Sequence, residues 1–198
     1  MDNGLLGDTG EEIPEGSFVW AAFRDGSVKL FDGSGLPKRM TTKTVAPDVS
    51  QLVSCGTLMP GQQDLVLVST EGKVLRLSTD QESGKFNPQG IAGSGVAGMK
   101  LPDGAFIAGA APITDTDVLL TISIDGWKVT PADKKNIPVK GRNGGGVGLH
   151  TLRKGDEGVY EIRVAPADPG FIINDKPVKP TKRSASTQKG HPIVQSFD

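Results

Sequence analysis

The sequence is poor in the residues that most catalytic and metal sites use. Its 198 residues include one cysteine, two histidines and one tyrosine. A lone Cys55 cannot form an internal disulfide, and such cysteine usage is typical of a reducing cytosol. The sequence also lacks a second cysteine, an HxH or HExxH motif and a Gly-x-Ser-x-Gly elbow. We therefore predict no cofactor, no metal and no catalytic residue, and we interpret His150 as structural.

Long apolar stretches are missing as well. No run of 18 apolar residues occurs, and no basic, apolar leader follows Met1. The sequence therefore predicts neither a membrane span nor a signal peptide, and we expect the protein in the cytoplasm.

Glycine and proline are abundant, and they separate short apolar runs instead of interrupting them. Residues 65–112 show the pattern: runs at 65–68, 73–77, 96–101 and 105–111 alternate with turns such as Glu71-Gly72 and Asp103-Gly104. Short alternating or β-branched runs joined by such turns are typical of β-hairpins. We expect four short strands in this unit.

The unit recurs upstream and downstream. The turn glycines Gly26, Gly72 and Gly126 are spaced 46 and 54 residues apart. A period near 50 residues with four strands is that of a propeller blade. We predict an all-β, propeller-like repeat with blades at about 18–64, 65–115 and 117–166, in which the buried first strand carries Trp20 into the core.

The two ends of the chain depart from the repeat. Residues 1–17 hold five acidic and no basic residues, and we interpret them as a flexible tail or linker. Residues 167–198 form a partial fourth blade within the domain at 18–198, with a hairpin turn at Asn174-Asp175 and a strand expected after Gly190. This partial ring either stops incomplete or borrows a strand from the N-terminal tail.

Basic residues concentrate in the loops although the net charge is −1, and without the acidic tail the remainder carries +4. If adjacent blades place these loops on one rim, they form a band suited to phosphate contacts; scattered, they are ordinary solvated side chains. The candidates are Lys38, Arg39, Lys43, Lys134, Lys135, Lys140, Arg142, Lys182 and Arg183.

The loop at 140–146, Lys-Gly-Arg-Asn-Gly-Gly-Gly, is the most suggestive. Its glycines permit close approach to a ligand, and Lys140 and Arg142 supply charge. Glycines also serve simply to turn the chain, and the loop lacks the Gly-Lys-Ser/Thr ending of a P-loop, which argues against nucleotide binding.

Three segments in combination resemble a known family. They are TEGKVLRL at 70–77, GVAGMKL at 95–101 and FIAGAAP at 106–112, with an echo in SIDGWKVTP at 123–131. This pattern resembles the C-terminal domain of the A subunit of bacterial type IIA topoisomerases, DNA gyrase and topoisomerase IV. The resemblance covers residues 18–166 well and 167–198 poorly.

The resemblance implies a non-catalytic β-pinwheel whose basic rim bends or wraps double-stranded DNA. It implies as partners the rest of a topoisomerase A subunit and, through it, the ATPase B subunit. A box similar to Gln-Arg-Arg-Gly-Gly-Arg-Gly serves wrapping in gyrase. Residues 140–146, which include Asn143, keep Arg142, Gly144 and Gly146 of it and replace two basic or polar positions with Gly141 and Gly145. Residues 89–95 keep Gln89, Gly93 and Gly95 and no arginine.

Two other functions use the same scaffold. A protein-binding propeller remains an alternative, favoured if the loop lysines scatter over the surface. A small-molecule enzyme would need a pocket with converging polar groups near the ring axis.

Overall fold

A computed structural model describes residues 13–36, 45, 46, 48–80, 82 and 86–195 of the chain. Within these residues it contains short 3-10 helices at Gly33–Gly35 and Val49–Gln51 and fourteen strands. The strands are β1 (Phe18–Phe23), β2 (Ser27–Asp32), β3 (Leu52–Leu58), β4 (Asp64–Ser69), β5 (Lys73–Leu77), β6 (Val96–Ala97), β7 (Ile107–Ile113), β8 (Asp117–Ser123), β9 (Gly126–Pro131), β10 (Val147–Gly148), β11 (Val159–Pro166), β12 (Ile172–Ile173), β13 (Lys176–Pro177) and β14 (Gln188–Lys189).

The strands form three four-stranded antiparallel sheets and one two-stranded sheet. The orders are β3-β1-β2-β6 in the first sheet, β10-β5-β4-β7 in the second and β11-β8-β9-β14 in the third, and β12 pairs with β13. Strand β7 contacts both β3 and β11, so the three larger sheets follow one another side by side. The predicted all-β fold of four-stranded blades is confirmed.

The sheets do not coincide with the sequence units, because each unit gives one short strand to the preceding sheet. β6 lies in the second unit but pairs with β2 of the first, and β10 pairs in the same way with β5. The expected strand at 96–101 therefore completes the neighbouring blade and not its own. The exchanged strand covers an edge that would otherwise present unpaired backbone groups. Alternation along a strand cannot reveal this, since it specifies faces and not partners.

The exchange explains the two turn glycines of the first two sheets. Gly26 and Gly72 have φ of 90° and 76°. A Cβ on Gly26 would lie 2.2 Å from the carbonyl oxygen of Met99, and one on Gly72 would lie 2.1 Å from that of His150. Glycine is required there both by its backbone conformation and by the approach of the exchanged segment.

Apolar side chains fill the spaces between the sheets. Trp20 and Leu67 belong to the cluster between the first and second sheets, which confirms the interpretation of Trp20 as a core residue. Val68 and Leu119 belong to the cluster between the second and third. The outer face of the third sheet is covered in part by Phe171 and by residues of β12.

The chain ends differ in part from expectation. Residues 1–12 lie outside the described residues, whereas Ile13 packs against the outer cluster of the first sheet. The expected turn is present, since Asn174 and Asp175 have φ of 52° and 61°. The strand equivalent to β6 and β10, however, is β14, which precedes Gly190 instead of following it.

Candidate nucleic-acid interface

Three seven-residue loops lead into the exchanged strands and occupy equivalent places. We call them loop A (89–95), loop B (140–146) and loop C (181–187); they precede β6, β10 and β14 respectively. Each begins with a backbone N–H that donates to a carbonyl of the sheet it joins. These bonds run from Gln89 to Leu30 (2.6 Å), from Lys140 to Arg76 (2.9 Å) and from Thr181 to Val129 (2.8 Å).

Loop C is the member that sequence reasoning missed as a loop of this kind. Its sequence, Thr-Lys-Arg-Ser-Ala-Ser-Thr, contains no glycine, and Thr187 takes the place that Gly95 and Gly146 hold in loops A and B. Because loop C lacks the glycine pattern of loops A and B, the signal that could have identified it is its position directly before a short strand. Lys182 and Arg183, two of the predicted residues, therefore lie in a loop equivalent to loop B.

Arg142 and Arg183 occupy the same third position of their loops and make the same contact. Nη1 of Arg142 donates to the carbonyl of Ala97 at 3.3 Å, and Nη1 of Arg183 donates to that of Gly148 at 3.5 Å. Ala97 and Gly148 are the second residues of β6 and β10. Arg142 of loop B thus contacts β6, which follows loop A, and Arg183 of loop C contacts β10, which follows loop B. Loop A carries Ile91 at this position, 43% exposed.

The glycines of loop B have different roles. Gly146 has φ of 72°, and a Cβ there would lie 2.6 Å from the carbonyl oxygen of Val74, so glycine is needed for the fold. The carbonyl of Gly144 accepts a 3.0 Å hydrogen bond from the N–H of Lys100. A Cβ on Gly141 or Gly145 would meet nothing within 4 Å. Gly141 and Gly145 therefore leave open space through which a ligand can approach the backbone.

Two buried lysines donate hydrogen bonds to backbone carbonyls of loops A and C. Lys29 and Lys128 are 2% and 1% exposed. Lys29 Nζ donates to the carbonyl of Ile91 at 2.7 Å, and Lys128 Nζ donates to that of Arg183 at 2.6 Å. Burial lowers the pKa of both lysines, and the charge of Arg183 lowers the pKa of Lys128 further. These hydrogen bonds fix the backbone at the third position of each loop, which is Ile91 in loop A and Arg183 in loop C.

The remaining predicted residues lie elsewhere. Lys134 and Lys135 follow β9, and Lys134 Nζ lies 3.7 Å from the carboxylate of Asp115. Lys134 lines a cavity that also contains the carboxylates of Asp64 and Asp80. None of the residues that line this cavity belongs to loop A, B or C, although Val139 directly precedes loop B. Lys38, Arg39 and Lys43 fall outside the described residues.

His150 is buried, and both of its ring nitrogens have hydrogen-bond partners. Its Nδ1 lies 2.9 Å from Thr121 Oγ1 and its Nε2 lies 3.2 Å from Ser123 Oγ, which in turn donates to Asp156. Burial lowers the pKa of His150 to about 4, and the negative charge of Asp156 opposes this shift while the positive charge of Lys128 adds to it. Although serine, histidine and carboxylate meet here, Ser123 is fully buried, so its hydroxyl cannot receive a substrate.

Metal sites and membrane spans are absent from the part of the chain that the structure describes. No group of three or more histidine, cysteine, aspartate or glutamate side chains there could hold a metal ion. No helix among the same residues is long and apolar enough to cross a membrane.

Comparisons with known proteins agree with the motifs. Residues 63–114 match the family described as DNA gyrase C-terminal domain, beta-propeller. The topoisomerase subunit TopoM of Mycolicibacterium smegmatis (strain ATCC 700084 / mc(2)155) is 36% identical over 192 residues. That alignment covers 96% of this chain and 26% of TopoM. The chain therefore spans about a quarter of the length of this relative.

Solved structures share the fold. The C-terminal domain of DNA topoisomerase IV has a TM-score of 0.61 at 18% identity, covering 78% of this chain and 48% of that domain. The DNA gyrase A C-terminal domain gives 0.58 at 14% identity, covering 81% of this chain and 52% of the other. The E. coli ParC C-terminal domain gives 0.53 at 19%, covering 76% and 62%. The resemblance predicted from the motifs is confirmed.

Proposed function

We propose that this chain, whose residues 63–114 match the DNA gyrase C-terminal domain family, binds and bends duplex DNA through loops B and C. The observation that carries the proposal is the equivalent placement of Arg142 in loop B and Arg183 in loop C. Each arginine donates to a carbonyl of the short strand that follows the preceding loop. Equivalent loops on neighbouring sheets give a row in which each loop carries one arginine at the same position. A phosphate backbone that passed over both loops would meet a cation at each of them.

The contacts are sequence-independent in this proposal. Lys140, Arg142, Lys182 and Arg183 would each neutralise a phosphate and release a counterion. Four such contacts predict a slope of log affinity against log salt of about −3.6. Lys135, close to loop C through Asn136, is a further candidate; Lys134 is placed outside the surface because it pairs with Asp115.

Phosphate contacts without base contacts suit bending better than base recognition. Bending a site of 20–30 base pairs costs about 1–6 kcal/mol, which additional phosphate contacts can offset. We propose that the parent protein is a cytoplasmic type IIA topoisomerase, in which this domain supports supercoiling or decatenation. Its partners would be the rest of the A subunit and the ATPase B subunit.

The test is a fluorescence anisotropy titration of a duplex of about 40 base pairs at several salt concentrations. We expect binding that tolerates sequence changes, weakens steeply with salt and falls for Arg142→Ala and Arg183→Ala. Lys134→Ala is the matched control, since it removes a lysine that already has a carboxylate partner. Absence of binding at low salt, or equal losses for all three variants, would contradict the proposal.

Loop A supports a second candidate function, binding of a protein partner. It has no charged residue, and its third position presents the exposed apolar side chain of Ile91. A chain that binds no DNA at low salt but loses a protein contact in Ile91→Asp would have this function instead.

A further inference from the structure

A polar crevice lies where the first two sheets meet. It has a volume of about 440 Å³ and lies between the turn from β1 to β2, the end of loop A and the middle of loop B. Its polar side chains come from four separate segments: Asp25 and Ser27 from the turn between β1 and β2, Ser94 from loop A, Lys100 from the segment after β6, and Asn143 from loop B. Neither Ser94 nor Lys100 belongs to the basic loops that the sequence singles out.

Backbone hydrogen bonds fix the chain at two of these residues. The N–H of Lys100 donates to the carbonyl of Gly144 at 3.0 Å, and the N–H of Asn143 donates to that of Gly98 at 2.7 Å. These reciprocal bonds lock loop B against the segment that carries Lys100. The backbone at Lys100 and Asn143 is therefore fixed at the border of the crevice, so that only the side chains have to be ordered when a ligand binds.

The charge of the crevice favours an anion. Lys100 is the one cation among the lining residues, and Arg142, which is not among them, donates from Nη1 to the carbonyl of the lining residue Ala97 at 3.3 Å. The opposing charge among the lining residues is Asp25, whose carboxylate accepts from the N–H and the hydroxyl of Ser27 at 2.9 and 2.6 Å. Among the lining residues Lys100 and Asp25 balance, so the positive charge of Arg142, which is bonded to the lining residue Ala97, makes the surroundings of the crevice net positive.

We propose that this crevice is a seat for one DNA backbone phosphate, held by the ammonium of Lys100 and by hydrogen bonds from Ser94 and Asn143. The proposal rests on the DNA-binding function and assigns loop A a part in it despite its lack of charge. A phosphate here would continue the row of loops B and C onto the first sheet. Its recognition combines one ionic contact with two neutral donors.

The seat is specific to this seam. At the next one, the equivalence of Ala97 with Gly148 places Thr151 where Lys100 stands and Gly145 where Ser94 stands. Moreover, the carbonyl of Thr151 already accepts from the hydroxyl of Thr187 at 3.0 Å. The second seam therefore lacks the lysine and the loop hydroxyl of the first.

The experiment measures affinity for the same duplex against salt in variants of the full chain. Lys100→Ala should lower the affinity several-fold and reduce the salt slope by about 0.9, whereas Lys100→Arg should keep the slope. Ser94→Ala and Asn143→Gly should weaken binding about twofold to fivefold without changing the slope, because they remove neutral donors. Glycine is used at 143 because Asn143 has φ of 60°. Circular dichroism and urea midpoints establish that the variants are folded.

The outcomes separate this proposal from the broader one. If Arg142→Ala and Arg183→Ala weaken binding while Lys100→Ala behaves like Lys134→Ala, the seat is wrong and the DNA-binding surface stands. If Ser94→Ala and Asn143→Gly leave affinity unchanged, the lysine acts only through long-range charge and the seat is again wrong. A chain that binds no duplex at any salt concentration overturns both.

Discussion

Lys128 lies directly beneath Arg183, and its buried ammonium donates a 2.6 Å hydrogen bond to the carbonyl of that loop residue. The same ammonium also donates to the carbonyls of Ala185 and Leu149. A cation in the interior thus fixes the backbone of a loop that carries another cation. The two like charges are tolerated because the ammonium has three carbonyl acceptors.

Replacing Lys128 by methionine should destabilise the chain and loosen loop C. Three carbonyls lose a charged donor, so we expect the free energy of unfolding to fall by about 2–3 kcal/mol. The measurement is urea denaturation followed by circular dichroism. Lys29→Met is the matched comparison. It should lose less unfolding free energy, because the Lys29 ammonium donates to the carbonyl of Ile91, whereas the Lys128 ammonium donates to three carbonyls. Equal losses in the two variants would contradict the expectation that the three acceptors of Lys128 make it the stronger anchor.

Strand exchange can be tested at Gly72. Gly72→Ala combines a positive φ with a Cβ 2.1 Å from the carbonyl oxygen of His150, so both strain and a clash oppose it. We expect a loss of about 3 kcal/mol in unfolding free energy. Gly104→Ala has a similar φ of 80° but nothing within 4 Å of its Cβ, and it should lose about 1–2 kcal/mol. A loss no larger at Gly72 than at Gly104 would contradict the close approach of the exchanged segment.

Stability should decline in mild acid because of His150. Its pKa of about 4 in the folded chain lies below the ordinary value of 6.5, so the unfolded chain binds the extra proton between these pH values. The stability that the fold has with His150 neutral is fully present above pH 6.5. It is lost as the pH falls toward 4, by up to about 3 kcal/mol of unfolding free energy. Urea denaturation at neutral pH and near the lower pKa measures it. His150→Asn, which cannot titrate, should show a smaller acid loss; an identical loss would assign the effect to other groups.

Arg76 should matter to stability far more than the neighbouring Lys134. Its Nε and Nη2 each lie 2.7 Å from a carboxylate oxygen, of Asp64 and Asp115 respectively, and its side chain is 3% exposed. Arg76→Met removes charged hydrogen bonds to Asp64, which is largely buried, and to Asp115, which is half exposed, and should lower the free energy of unfolding by about 2–3 kcal/mol. Lys134→Met removes an exposed partner of Asp115 and should cost less than about 1 kcal/mol. Comparable losses of unfolding free energy in the two variants, measured by urea denaturation, would show that the ion pairs of Arg76 do not stabilise the fold.

The β architecture is predictable because its signals are local. Hairpin turns at Gly26 and Gly72 and the alternation of the flanking strands depend on neighbouring residues, and the structure contains those hairpins. Trp20 is identifiable as a core residue because its strand is apolar on both faces. The expected equivalence of Gly190 with Gly146 does not hold for the described residues, because Thr187 takes the place of that glycine and β14 precedes Gly190.

The candidate site is predictable only in part. Arg142 and Arg183 stand out for their charge, but their equivalence depends on which carbonyls their loops reach, 45 and 35 residues away. Lys100 stands out as part of a family motif and not as a ligand. The roles of Lys29 and Lys128 carry no local signal, because a lysine in an alternating strand looks like an exposed one.

The residues alone specify hairpins, buried faces and a repeat of about fifty residues, since turn chemistry and side-chain period act over a few positions. Which edge each short strand covers was decided by the tertiary structure, because backbone pairing is indifferent to sequence distance and depends on which open edge lies nearby. That pairing joins Arg142 to Ala97 and brings Ser94, Lys100 and Asn143 around one crevice. The charges come from the sequence, and their arrangement into a surface comes from strand exchange.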